Sequence, residues 1–197
     1  MSYIVHVVAM TADGYIGLDD KLPFSVPEDL KNFKSLTNEN LICMGFNTFE
    51  SIFNNHTKDQ SSFLPGRKVT VVCSDEVKAA QRTKDYPVDN VLFVSQKMFT
   101  SLVHRNSRPI LIVGGSVLFK MFRPNLIVAT AVDTLAVEKD DEIIVTDKGS
   151  VRKSDGKLLT AYPYFDRFDK EWSELSFATQ KSTSGLDYAY KVYHAIH

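Results

Sequence analysis

The residues best suited to managing a proton lie in AMTADGYIGLDDKLPFSVPEDLKNFK, from Ala9 to Lys34. There an apolar run enters a turn-rich loop with Gly14 and Gly17, and the loop gives way to a helix with Pro27 at its start and Glu28 and Asp29 in its first turn. Open α/β sheets place ligands in loops of this kind, beyond the carboxyl ends of strands. Phe24, Leu30 and Phe33 surround Asp29 in the sequence, and a carboxyl group among them is partly desolvated, which raises its pKa toward a range useful for proton transfer. The competing reading is a first-turn charge that complements the helix dipole.

Two further segments could hold anions. In ILIVGGSVLFKMF, from Ile110 to Phe122, Gly114 and Gly115 let a strand turn abruptly into a helix whose exposed amide donors suit a pyrophosphate. The pair is not GxGxxG, and such a turn needs glycine whether or not phosphate binds. In FLPGRK, residues 63 to 68, Pro65 and Gly66 make a turn that presents Arg67 at its edge, where a guanidinium could grip a carboxylate with two parallel donors. A surface arginine is the alternative.

The elements that must position these groups alternate along the chain. YIVHVVAM (3 to 10) is too short for a stable helix and too continuous for a half-exposed strand, so it reads as a central strand covered on both faces. Similar runs recur at 40 to 45, 68 to 73, 90 to 95, 109 to 115 and 126 to 132, separated by helical patterns after Pro27 and at 48 to 53, 75 to 84, 96 to 104 and 116 to 122. This predicts an α/β fold with a central, mainly parallel sheet and helices on both faces. After Asp133 the rhythm changes to strands at 142 to 147, 172 to 182 and 186 to 196, the last two separated by Thr183, Ser184 and Gly185, so the sheet is expected to be mixed and to end in an antiparallel hairpin. The polar stretch KGSVRKSDGK at 148 to 157 reads as a loop.

With 197 residues, 44% of them hydrophobic, one domain over residues 1–197 is expected. A net charge of −1 supplies no field for a phosphate backbone, and the strands lack the aromatic and basic pattern of an RNA reader, so no nucleic-acid partner is expected. No apolar run approaches the roughly 20 residues of a membrane span, and the N-terminus lacks a signal-peptide pattern, so no membrane partner and a cytoplasmic location are expected. Cys43 and Cys73 each sit in apolar runs and read as reduced thiols, with no metal site.

Taken together, DGYIG, LPFSVPEDLKNFK, ICMGFNTFESI, LPGR, IVGGSVLF and ATAVD, in this order and spread over essentially the whole chain, resemble the dihydrofolate reductase family. The resemblance implies a dihydrofolate reductase-like fold and NADPH-dependent reduction of 7,8-dihydrofolate to tetrahydrofolate, feeding one-carbon metabolism and nucleotide biosynthesis. NADH is the second cofactor choice. Asp29 matches the acid that contacts the pterin and promotes protonation at N5, and Thr130 the threonine that supports it. Arg67 is similar to the arginine that holds the glutamate tail. Val7, Val8, Leu30, Phe33, Ile52, Leu64 and Val113 resemble the substrate walls. Ala9, Ile16, Gly17, Leu22, Gly45, Phe46, Thr48, Cys73, Ser74, Gly114, Gly115, Ser116, Val117 and Phe119 take positions of the cofactor surroundings. The segment Gly14 to Phe24 would be a mobile loop over the nicotinamide.

The departures from the family pattern concern the cofactor. Phe24 stands in place of the usual tryptophan, Phe46 and Val117 in place of frequent basic residues, and Phe119 in place of a tyrosine. Asp75, beside Ser74, would repel a ribose 2′-phosphate or accept from the ribose hydroxyl, with Lys78 or Arg82 as compensating charges. These departures keep two alternatives open: a folate-binding or structural relative with weak or no turnover, and a reductase of another pterin or a pyrimidine precursor. A monomer is expected, with a weak homodimer as the alternative.

Overall fold

Ile4–Thr11 forms the first strand, β1, as its unbroken β-branched run requires. The computed structural model describes residues 2–19, 21–56, 62–147 and 149–196. Met1 and His197 at the ends of the expected domain, Asp20 in the expected loop and Lys148 at the head of the polar stretch lie outside the described residues. The chain falls into two compact units, Met1–Val7 with Lys34–Asn125, and Val8–Phe33 with Leu126–His197.

In the first unit the early part of β1 is followed by β3 (Leu41–Gly45), α2 (Phe46–His56), β4 (Lys68–Cys73), α3 (Glu76–Asp85), β5 (Val91–Ser95), α4 (Gln96–Arg105), β6 (Ile110–Gly114) and α5 (Ser116–Met121). The strands are parallel in the order β1-β6-β3-β4-β5. Their near-continuous apolar character follows from cover on both faces, and Ile42, Cys43, Met44, Val71 and Ile112 are fully buried. Phe49 packs among Phe46, Phe53, Phe63, Tyr86 and Phe93, with ring centroids 4.8 to 6.0 Å apart. Asp75 caps α3, accepting from the Lys78 amide at 2.8 Å, and Ser95 caps α4 in the same way through the Met98 amide at 3.1 Å.

His6, on β1, is fully buried, with its ring 4.7 Å from Phe119 and Nε2 donating to the Phe122 carbonyl at 2.9 Å. Burial pushes its pKa down to about 3 against the ordinary 6.5, the Phe122 bond opposing this. The unfolded chain therefore binds a proton that the folded chain refuses between those values. The stability linked to His6 is present above pH 6.5 and is lost as pH falls toward 3. Parent protein should lose up to about 1.4 kcal/mol per pH unit more than His6→Gln across this window, read from denaturant midpoints. Parallel pH dependences would contradict it.

In the second unit, β2 (Tyr15–Leu18) and the first part of α1 (Pro27–Thr37) precede β7 (Leu126–Val132), β8 (Ile143–Thr146), β9 (Gly149–Arg152), β10 (Leu159–Ala161), α6 (Phe168–Glu171), β11 (Trp172–Ser176), β12 (Gln180–Lys181) and β13 (Asp187–Ala195). Here the strand order is β11-β13-β7-β1, and β13 runs antiparallel to β7 and β11. The fold is the expected α/β class with a mixed sheet and an antiparallel C-terminal hairpin.

Three segments differ from expectation. Part of the Gly14 to Phe24 loop is the strand β2, paired with β10 through Leu18↔Leu159 and Gly17↔Thr160. The polar stretch is not all loop: β9 pairs with β8, and Arg152 joins Asp155 through Nε at 3.0 Å and Nη2 at 2.5 Å. The expected strand at 172 to 182 is two. Ser176 opposes Lys191 and Gln180 opposes Tyr188, so three residues lie between these pairs on one strand and two on β13. The extra residue is a bulge that interrupts the ladder.

Candidate active site

Asp29 sits in the first turn of α1, its amide donating to Val26 O at 3.0 Å. Thr130 on β7 is buried, at 3% exposure, and its Oγ1 donates to Asp29 Oδ1 at 2.5 Å. Burial raises the Asp29 pKa above its ordinary 3.8, and the Thr130 bond, which favours the carboxylate, opposes the rise without cancelling it. Such a group is a half-buried acid with one oxygen fixed, able to hold or release a proton nearer neutrality than a surface aspartate. Val26, Val132 and Tyr188 form a buried apolar cluster in the same unit, with Phe24 and Tyr190 packed on it. Of the other expected residues in this unit, Val8 is buried, Ala9, Ile16 and Phe33 are half-buried, and Leu22 and Leu30 are exposed. Gly17 lies in the β2–β10 ladder, facing Thr160.

Within the first unit, the carboxyl ends of β3, β4 and β6 line up, since Met44 pairs with Gly114 and Gly45 with Val72. Two strand-to-helix turns approach each other closely there. Gly115 has φ +91, and a Cβ on it would lie 3.2 Å from the Gly45 amide nitrogen; a Cβ on Gly114 would lie 2.5 Å from Thr48 Cγ2. Both glycines are therefore required by the close approach and turn, and the starts of α2 and α5 are drawn together. Gly115→Ala should destabilise the fold by about 1–3 kcal/mol through its left-handed backbone and crowding. Gly185, at φ +89 with nothing within 4 Å of an added Cβ, supplies the control: Gly185→Ala should cost less, as denaturation midpoints would show, and equal losses would remove the crowding argument.

Around these turns Ser116 and Phe46 are half-buried and Val117 is exposed, whereas Val7, Cys73 and Phe119 are buried; Phe119, at 2%, packs on His6 as a core ring. Ile52, Leu64 and Val113 are half-buried. Ser74 Oγ donates to Asp75 Oδ2 at 2.8 Å while the Lys78 amide takes Oδ1, so Asp75 is first of all the α3 cap. Those bonds, with the one from Lys78 largest, hold its carboxyl below the ordinary range. Of the two compensating charges, Arg82 reaches Phe46, its guanidinium 4.0 Å from the ring centroid, while Lys78 lies 3.9 Å from Asp75.

Arg67 is not displayed at a turn edge. It is 6% exposed, donating from Nε to Thr37 Oγ1 at 2.7 Å, from Nη1 to Pro65 O at 3.1 Å and from Nη2 to Lys34 O at 3.3 Å. The PG turn drew attention to the loop, but the burial follows from pairing with the end of α1, which no local pattern reveals. Asp13 was also missed: its carboxylate accepts from the Ala136 and Val137 amides at 3.1 Å and so ties down the segment after β7.

The dihydrofolate reductase family model matches residues 3–194. The chain belongs to the dihydrofolate reductase family. Curated relatives include the bifunctional dihydrofolate reductase-thymidylate synthase of Paramecium tetraurelia, 28% identical over 94% of this chain and 33% of that protein. Dihydrofolate reductase type 9 of Escherichia coli is 36% identical over 48% of this chain and 46% of its own length. A third, the dihydrofolate reductase of Lactococcus lactis, is 28% identical over 62% of this chain and 66% of its own. The chain thus spans less than two thirds of each of these relatives. Among solved structures, dihydrofolate reductase from Enterococcus faecalis, complexed with NADP(H) and RAB-propyl, has the same fold, with a TM-score of 0.68 over 99% of this chain and 97% of that one at 22% identity. The family membership accounts for the order of the motifs along the chain, and the Asp29–Thr130 pair sits at two of the positions those motifs carry.

Proposed function

We propose that this chain, read as one domain over residues 1–197, catalyses NADPH-dependent reduction of 7,8-dihydrofolate to tetrahydrofolate as a cytoplasmic monomer. The observation that carries the reading is the half-buried Asp29 carboxyl, raised in pKa and hydrogen-bonded to Thr130. The converging starts of α2 and α5 fit a dinucleotide, because backbone amides at two adjacent helix starts supply donors for a pyrophosphate. Gly45, Phe46, Thr48, Gly114, Gly115, Ser116 and Val117 would hold that group, Cys73 and Ser74 the adenosine side, and Ala9, Ile16, Gly17 and Leu22 the nicotinamide. The buried Phe119 would support these turns from behind. When bound, the reduced nicotinamide supplies a hydride.

Asp29 would bind the pterin amidine and set the supply of a proton to N5, with Thr130 keeping the carboxyl group oriented. Protonated substrate is the better hydride acceptor, so the rate should fall as pH rises through the raised Asp29 value. Val8, Leu30 and Phe33, in the unit that carries Asp29, would be apolar walls that exclude water and strengthen the influence of the acid, and Val7, Ile52, Leu64 and Val113 of the first unit are the other proposed substrate-wall residues. Arg67 would take the glutamate tail.

Arg82 beside Phe46 supports NADPH, since it brings a cation to the position that lost one. NADH is the second reading, favoured by the ionised Asp75 next to Ser74. Oxidation of each cofactor, followed separately with and without dihydrofolate, decides both points. Dihydrofolate-dependent oxidation with NADPH preferred is expected. Tight folate binding with no oxidation of either cofactor would replace the enzyme by a binding protein.

A further inference from the structure

The start of α1 is fastened by a second set of bonds. Glu28, next to Asp29, accepts from Ser182 Oγ at 2.5 Å through Oε2 and from the Thr183 amide at 3.1 Å through Oε1. Ser184 Oγ donates to Ser25 O at 2.6 Å, and the turn bearing these residues is closed by Gly185 N to Ser182 O at 2.9 Å. Ser182 is 5% exposed, so its hydroxyl is built into the fold rather than resting on the surface. The Ser182 hydroxyl and Thr183 amide hold the Glu28 carboxyl down at about 2, so the acceptor is ionised throughout the range in which an enzyme of this kind works.

The same hairpin also reaches Asp29 along the sheet. The 182–185 turn leads into β13, which is registered on β7 from Tyr188↔Val132 to His194↔Leu126. Tyr190 stands directly opposite Thr130, on the same face, with its hydroxyl 3.5 Å from Glu28 O. One hairpin thus grips residues 25 and 28 of the helix start at its turn, while the strand paired with it presents the threonine that binds the Asp29 carboxyl. Helix starts fray, and displacement of a reacting group by about 1 Å can cost about a hundredfold in rate. We propose that the Glu28–Ser182 clamp is a positioning device for Asp29, fixing the first turn of α1 so that the carboxyl group stays at hydrogen-bond distance from Thr130 and out of bulk water. This rests on the reading of Asp29 as the acid of the reductase reaction and assigns to Glu28 and Ser182 a part in it without contact with substrate.

The test uses Ser182→Ala, its rescue by Ser182→Thr, and the milder Ser184→Ala. The Asp29 carboxyl is titrated by carbon NMR in the free protein, which needs no turnover, and the pH dependence of dihydrofolate reduction is measured alongside. Burial is the larger influence on Asp29, so loosening should return water to the carboxyl and move its midpoint down toward an ordinary aspartate in Ser182→Ala. Less movement is expected in Ser184→Ala and none in Ser182→Thr. Turnover near neutral pH should fall about threefold to tenfold in Ser182→Ala, with its pH limb shifted in the same direction. Unchanged midpoints in both alanine variants, whatever happens to their melting temperatures, would overturn the clamp and leave a purely structural contact. A parent protein without turnover would defeat the reductase reading, and the NMR titration would still decide the clamp.

Discussion

Asp29→Asn should lower dihydrofolate-dependent turnover near neutral pH by about a hundredfold or more, the range expected when a positioned proton-transfer group is removed. The loss should not come from unfolding. Asparagine keeps an oxygen able to accept from Thr130 Oγ1 and removes a carboxyl group whose charged form burial disfavours. Because the folded-state pKa of Asp29 lies above its ordinary value, the stability it contributes is full below that ordinary value and is lost as pH rises through the folded one. The variant should therefore gain stability relative to the parent as pH rises, visible in denaturant midpoints taken at about pH 4 and about pH 7. Its turnover should also lack the pH limb expected of the parent. A variant with parental turnover would remove Asp29 from the mechanism, and one that is inactive because it is unfolded would leave the site reading without this support.

Arg67→Leu carries the other large effect. A guanidinium that grips the substrate carboxylate in a mostly buried setting is expected to be worth about 2–5 kcal/mol when truncated, so the KM for dihydrofolate should rise by about thirtyfold to several thousandfold. A dihydropterin without the glutamate tail should be turned over as by the parent. The bonds to Thr37, Pro65 and Lys34 predict a second, separable consequence, a loss of stability from removing a buried donor group. Arg67→Lys should recover part of the affinity, since it restores the charge without the fork. Equal KM changes for tailed and tail-less substrates would mean that the side chain only supports the chain around Pro65.

The parallel strands of the first unit were legible because each is a short, β-branched, fully apolar run, and Pro27 with the acids behind it marked the start of α1. Asp29 stood out for the same local reason, an acid in a helix start flanked by phenylalanine and leucine. What stayed hidden depends on partners distant in the chain. Tyr15–Leu18 looks like loop until Leu159–Ala161 supplies the neighbouring strand, and the 177–179 bulge exists only because β13 has one residue fewer between its pairings. Glu28 reads locally as no more than an acid in the first turn of a helix and Ser182 as the end of a strand, although their side chains meet. Arg67 shows the same limit: its turn was visible and its burial was not.

Transfer of hydride to the pterin is the central step of the proposed function. Incubating the protein with dihydrofolate and NADPH carrying deuterium at the transferred position of C4, then analysing the product by mass spectrometry and NMR, is the most direct measurement. The prediction is tetrahydrofolate labelled at C6, formed in step with cofactor oxidation. Unreduced dihydrofolate recovered after long incubation with protein in excess, under conditions where binding of both is demonstrated, would contradict it.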